Sequence, residues 1–128
     1  MIDGDSLLVS REGQEVHLRL YGIDAPEFDQ PGARLARRHL QRLVSGRPMS
    51  VTVMDHDRYG RAVAQVRTDR AHVNEELIRV GAAWVYPRYC TTSGCQRWME
   101  LQRQARAQRI GLWRHQRPIS PWQWKRNR

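Results

Sequence analysis

Cysteine is nearly absent from this chain: Cys90 and Cys95 are its 2 cysteines in 128 residues, spaced C-x4-C around Thr91-Thr92-Ser93-Gly94. The histidines at 17, 39, 56, 72 and 115 stand at no zinc-like spacing to that pair, which argues against a zinc site. A small disulfide loop closed over the Ser-Gly turn is the preferred reading, with two free thiols as the alternative, because spacing alone does not fix geometry. A disulfide points to an oxidising compartment, so a secreted or periplasmic protein is expected, its leader outside this sequence. Long apolar runs are missing as well. None approaches the roughly 18 to 20 residues of a membrane-spanning helix, and Met1-Ile2-Asp3 leaves no space for the apolar stretch of a signal peptide. As written, the chain is expected to be soluble and to carry no address. Acidic residues are scarce, 13 against 22 Lys plus Arg, giving a formal net charge of +9 carried almost wholly by arginine. That balance says nothing of fold but favours a polyanionic partner, nucleic acid first and an acidic membrane surface second. There is no internal repeat and no low-complexity tract.

What is present reads as one domain, residues 1–113, followed by a basic tail, 114–128, with two prolines and two tryptophans and no period. Leu7 to Ser10 reads as a strand and Glu15 to Ile23 as a longer one, with Val16, Leu18 and Leu20 alternating against His17, Arg19 and Tyr21. A helix is predicted over Ala33 to Val44, with Ala36, Leu40, Leu43 and Val44 on one stripe and Arg34, Arg37, Arg38 and Arg42 on the other. Met49 to Met54 and Arg61 to Arg67 read as a hairpin turning at Asp57 to Gly60. His72-Val73 is a candidate short strand, followed by a helix capped by Asn74 and stopped by Gly81. Trp84 to Tyr89 reads as extended, and Gln96 to Arg109 as a last helix with Trp98, Leu101 and Ala105 inward. The tail is expected to lie over the surface or be partly disordered. These elements predict an α+β, mainly β fold: a five-stranded OB-fold-like barrel with three helices. Such a barrel calls for a full strand leading into Asp3-Gly4-Asp5, and only Met1 and Ile2 precede it. Either the natural chain is longer or the first strand is unusually short.

Three short runs carry the chemistry: Asp3-Gly4-Asp5-Ser6, Arg19-Leu20-Tyr21-Gly22-Ile23-Asp24-Ala25-Pro26-Glu27, and Asp57-Arg58-Tyr59-Gly60-Arg61. Asp5, Asp24 and Glu27 are the oxygen donors a hard divalent cation such as calcium takes, together with backbone carbonyls and water. Taken alone, Asp24-Ala25-Pro26-Glu27 reads equally as a D-x-x-E helix start, and Asp3 to Ser6 as a polar turn. Arg19 and Arg61 tilt the balance. The guanidinium fork matches phosphate oxygens in two-point contact, and a pair of forks can stabilise the added charge of a phosphodiester transition state. The competing reading for each arginine is a surface ion pair.

Together these runs resemble the staphylococcal nuclease, or thermonuclease, family: its D-G-D-T segment, its R-x4-D-x-P-E core and its D-x-Y-G-R segment, with Val73-Asn74-Glu75, Gly81 and Gly111-Leu112-Trp113 matching as well. The resemblance implies calcium held by Asp5, Asp24 and the carbonyl of Ala25, where the family often has threonine. It implies a catalytic trio of Arg19, Glu27 and Arg61, and contacts from Arg58 and Tyr59 to a terminal phosphate of the substrate. The expected activity is a calcium-dependent, sugar-nonspecific endonuclease acting on DNA and RNA, single strands preferred, as a monomer, leaving 3'-phosphate and 5'-hydroxyl ends. Tyr86, with Trp84 and Tyr89, is a candidate to stack on bases, core packing being preferred for Trp84. Trp98 and Trp113 read as packing, and Trp122 and Trp124 are open between folding back and binding substrate. The alternative function is a non-catalytic nucleic-acid-binding module on the same barrel, to which Glu27 would bring only repulsion of phosphate. A structural or membrane-surface protein is a third reading.

Overall fold

A computed structural model of the protein describes residues 3–127. In chain order its elements are β1 (Ser6–Arg11), β2 (Gln14–Leu20), β3 (Ile23–Asp24), α1 (Ala33–Val44), β4 (Ser50–His56), β5 (Ala62–Arg67), α2 (Val73–Arg79), β6 (Trp84–Val85), α3 (Gly94–Gln108), a 3-10 turn (Gly111–Arg114) and α4 (Pro121–Arg126). One sheet has the order β1-β2-β5-β4, with β2 and β5 parallel and the outer pairs antiparallel; β3 and β6 form a second, two-stranded sheet. The fold is α+β and OB-like. It differs in detail from a closed five-stranded barrel with three helices: the described strands form two sheets, and four α-helices accompany them. β1 and β4 are not paired with each other, and Val9, Val16, Met49, Val51 and Val53 line the groove between them. Met1 and Ile2, where a leading strand would begin, lie outside the described residues.

Leu18 and Leu20 of β2, Ala64 and Val66 of β5, and Leu40 and Ala36 of α1 meet in the main core with Leu77 and Ile78 of α2. The period-3.6 stripe of α1 therefore does what its spacing predicts, and Arg34, Arg38 and Arg42 stay exposed on its far side. Trp98 and Trp113 are buried, as packing residues should be.

The alternating run after Glu15 does not continue to Ile23. β2 stops at Leu20 because the chain bends at Tyr21-Gly22, where Gly22 takes a φ of 75°. A Cβ there would lie 2.8 Å from Cys90 Sγ and 2.9 Å from the Trp98 ring, so a side chain is excluded by both backbone and space. Past the bend, Ile23 and Asp24 pair with Val85 and Trp84.

Asn74 is not a helix cap. α2 starts at Val73 after His72, and His72 makes one isolated bridge to Arg67 in place of a strand. The Asn74 side chain is fully buried: its amide donates to the Tyr21 and Ala64 carbonyls at 3.0 and 3.1 Å, and its oxygen accepts from the Val66 N–H at 3.0 Å. It closes the backbone bonds that the bend at Gly22 leaves open.

Trp84 to Tyr89 is extended only over β6; the Tyr89 and Cys90 amides turn back onto the Tyr86 carbonyl. Cys90 and Cys95 are disulfide-bonded, with Cα atoms 5.8 Å apart, and α3 begins inside that loop, two residues before its predicted start. The tail holds regular structure that its sequence shows no period for. Ser120 caps α4, its hydroxyl accepting from the Gln123 N–H, with Pro121 in the first turn. No helix among the described residues is long and apolar enough to cross a membrane.

Candidate active site

The bend at Gly22 sets the geometry of the site. Arg19 is the penultimate residue of β2, and its guanidinium reaches across the bend to donate to the Leu20 and Ile23 carbonyls at 3.0 and 2.9 Å. From there it meets two carboxylates, Asp24 Oδ1 at 3.3 Å and Asp5 Oδ2 at 3.5 Å. Asp5 is itself held, Oδ2 accepting the Ala25 N–H at 2.8 Å. Ala25 thus fixes Asp5 through its amide, and its own methyl is buried.

The Asp-Gly-Asp turn can pass this close because it lacks a side chain at its centre. A Cβ on Gly4 would stand 2.5 Å from the Cβ of Ala36 on α1 and 3.1 Å from that of Ala25. Small residues at three places bring the turn, the bend and the helix together.

Arg61 approaches from the other side. The turn between β4 and β5 is built on Asp57, whose Oδ1 accepts the Tyr59 and Arg61 amides at 2.9 and 3.0 Å, while Oδ2 accepts from Arg61 Nε at 2.7 Å. Burial works to raise the Asp57 carboxyl, but these hydrogen bonds outweigh it and hold the group below its ordinary value. With Nε so occupied, Arg61 Nη1 donates to the Ser6 hydroxyl at 3.4 Å, and Ser6 in turn contacts Asp5 at 3.5 Å. Arg58 and Tyr59 sit on the same turn, the guanidinium of Arg58 5.2 Å from the centre of the largely exposed Tyr59 ring.

Electrostatics tie the remaining groups to this rim. Asp24 is pushed up from 3.8 to about 8, first by burial, then by the neighbouring Asp5 charge, with Glu27 adding to the rise and Arg19 opposing it. Asp3 is raised by burial and by Asp5, against the pull of Arg19, Arg37 and Arg61. Arg19 and Arg61 thus both act on the Asp3 carboxylate, and Glu27 acts on Asp24. Asp5, Arg19 and Asp24 are in direct contact; Arg61 joins through Ser6, and Glu27 through its charge.

Two acidic side chains pressed together with one guanidinium between them form an oxygen donor set short of positive charge. Among the described residues no group of three or more Asp, Glu, His or Cys is placed to hold a metal. Asp5 and Asp24 are thus two oxygen donors side by side, with the Ala25 amide bound to one of them.

Tyr86 lies at the edge of the site, half-buried. Burial, and then the Asp24 charge, raise its hydroxyl. Its ring is stacked on Trp122 and meets Tyr89 edge-on at 4.9 Å. Trp84 packs between Trp113 and Trp122, in keeping with a core role. Ser6 and Gln30 were missed by sequence reasoning, while Trp122, left open between folding back and binding substrate, folds back onto Trp84 and Tyr86. Ser6 lay within a motif already singled out, whereas nothing in the sequence marks Gln30.

Comparison with known proteins agrees with this geometry. Residues 17–115 match the family model described as staphylococcal nuclease homologue. An uncharacterized endonuclease of Escherichia coli is 40% identical over 126 residues, covering 98% of this chain and 80% of the relative. A micrococcal nuclease of Shigella flexneri is 33% identical over 135 residues, covering 98% of this chain and 77% of the relative. A staphylococcal-like nuclease of Arabidopsis thaliana is 33% identical over 126 residues, of which this chain spans only 38% of the relative's length. Contact of Asp5, Arg19 and Asp24 at the bend, the Asp57-Arg61 turn facing them, and a family model covering most of the sequence lead to one conclusion: the chain belongs to the staphylococcal nuclease family.

Proposed function

We propose that this protein is a nuclease that hydrolyses phosphodiester bonds of DNA and RNA with calcium, without regard to the sugar, and leaves 3'-phosphate and 5'-hydroxyl ends. The observation that carries the reading is the seating of the Arg19 guanidinium between Asp5 and Asp24, on the rim that Arg61 and Glu27 also act upon. A binding module gains nothing from three carboxylates facing a phosphate, since without a cation they repel it.

Asp5, Asp24 and the Ala25 carbonyl would hold calcium, which when bound supplies positive charge to a phosphate oxygen. Glu27 accepts a proton from, or orients, the attacking water. Arg19 and Arg61 take the non-bridging oxygens, matching the charge that grows as the phosphorus becomes five-coordinate. Both forks are already braced by carbonyls, Ser6 and Asp57, so little reorganisation accompanies that step. Arg58 and Tyr59 receive a terminal phosphate, and Tyr86 offers a face or edge to a base. Stacking of that kind requires unpaired bases, which is the ground for preferring single strands. A monomer suffices for all of these roles, and the Cys90–Cys95 disulfide supports an exported setting.

Degradation of single-stranded DNA and RNA in calcium, and in chelator, tests the reading. Hydrolysis in calcium alone, with phosphate on the 3' ends by mass spectrometry, is expected. Salt-sensitive binding without hydrolysis in either tube would leave a nucleic-acid-binding module instead.

A further inference from the structure

The C-terminal segment has no part in the chemistry above, yet it touches the loop that carries Glu27 at two points and Tyr86 at a third. The Gln30 side chain is buried, and it is used at both ends: Oε1 accepts the Glu27 N–H at 3.0 Å, and Nε2 donates to the Ile119 carbonyl at 2.6 Å. Trp124 Nε1 donates to Asp29 Oδ1 at 3.1 Å. Trp122 lies flat on Tyr86, ring centres 4.8 Å apart and planes 6° from parallel. The segment making these contacts is itself a built element, since Ser120 and Pro121 are buried and α4 is capped.

We propose that Ile119 to Trp124 forms a clasp that positions Glu27, with Gln30 as the positioning residue. The inference rests on Glu27 being the carboxylate that orients or deprotonates water. Between β3 and α1 the chain has no regular ladder to fix it, and irregular loops are the parts of a fold that open most easily. A catalytic carboxylate has to be held within a fraction of an ångström, and a misplacement of about 1 Å can cost on the order of 100-fold in rate. Gln30 supplies one constraint by bonding the Glu27 amide while being anchored in turn to Ile119. Gln30 also donates its own backbone N–H to the Glu27 carbonyl at 2.8 Å, so Glu27 is gripped on both sides of its Cα. The stacking of Trp122 and the Trp124 bond hold the clasp in register along the same edge.

The test uses the full chain with two substitutions, Gln30→Ala and Trp124→Phe, each compared with wild type for kcat and KM on a single-stranded oligonucleotide in calcium, and for amide hydrogen exchange. For Gln30→Ala, exchange at the Glu27 amide is expected to rise about 10-fold while α3 amides keep their protection, and kcat to fall about 10-fold with KM within about twofold. The rise in Tm on adding calcium should be unchanged, because Asp5 and Asp24 are not touched; a general loss of structure would move all of these together. Trp124→Phe keeps an aromatic ring and removes one N–H, so it should shift both readouts the same way by about threefold, and it stands as the test should Gln30→Ala fail to fold. A folded variant with wild-type exchange at Glu27, or with faster exchange and a kcat within twofold of wild type, would overturn the clasp alone. A wild type that hydrolyses nothing overturns the catalytic reading and the positioning role with it.

Discussion

Replacing Asp24 by asparagine should make the cation-free protein more stable, by an amount that grows as pH rises from about 4 to about 8. The carboxyl of Asp24 rises from 3.8 to about 8 in the folded chain, because burial and the adjoining Asp5 charge outweigh the attraction of Arg19. A folded value above the unfolded one favours the native state fully below about pH 3.8, and that advantage is lost progressively as pH rises through about 8. At about 1.36 kcal/mol for each pH unit, the whole interval would correspond to roughly 5 to 6 kcal/mol of ionisation cost at high pH. Asp5 and Asp24 share that cost as a pair, and the Asp24 side chain keeps 13% of its surface in solvent, so about 2 to 3 kcal/mol is a reasonable share for one substitution. Asparagine retains an acceptor for the Arg19 fork and removes the charge. For a chain of this length the gain translates into roughly 6 to 12 °C in Tm. Thermal unfolding in chelator at pH 8 and at pH 4.5 measures it. The expected result is a higher Tm for Asp24→Asn at pH 8, little difference at pH 4.5, and loss of most of that advantage on adding calcium, which should stabilise wild type by about 2.7 kcal/mol at a concentration 100 times its Kd and the variant much less. A variant less stable than wild type at pH 8 in chelator, or equally shifted at both pH values, would refute the reasoning.

Arg19→Ala and Arg61→Ala should each lower kcat/KM by about 100- to 1,000-fold or more in steady-state assays, and Arg→Lys at either position should recover little of it, since an ammonium cannot reproduce the two-point fork. Asn74→Ala should cost about 3 to 5 kcal/mol in denaturant unfolding, because it strands the Val66 N–H and the Tyr21 carbonyl in the core and leaves the Ala64 carbonyl only the Tyr21 N–H; a loss under about 1 kcal/mol would mean that water replaces the amide. Reducing the Cys90–Cys95 bond should lower stability by roughly 2 kcal/mol, the value expected for so short a loop, with two thiols then titrating by alkylation and mass.

How far the sequence alone could carry these conclusions differs from residue to residue. α1 was legible because a 12-residue amphipathic stripe between a Pro-Gly turn and Ser45-Gly46 depends on local periodicity only. The end of β2 was not, because the alternation of Val16, Leu18 and Leu20 leads on toward the apolar Ile23 while the bend depends on Gly22 facing Cys90 and Trp98, far along the chain. Asn74 shows the same limit: its position before an acidic first turn fits a cap, and only the tertiary arrangement reveals three buried backbone groups awaiting an amide. In the site, the motifs named Asp5, Arg19, Asp24, Glu27 and Arg61, yet spacing could not say that one guanidinium would lie between two of the carboxylates. Gln30 and the tail mark the far end of this scale. No period announces a residue whose partners are a backbone amide three positions back and a carbonyl 89 positions ahead. Those are the contacts through which a chain converts a correctly chosen set of reactive side chains into a correctly placed one. A sequence motif therefore identifies the groups of this site more readily than the scaffold that aims them.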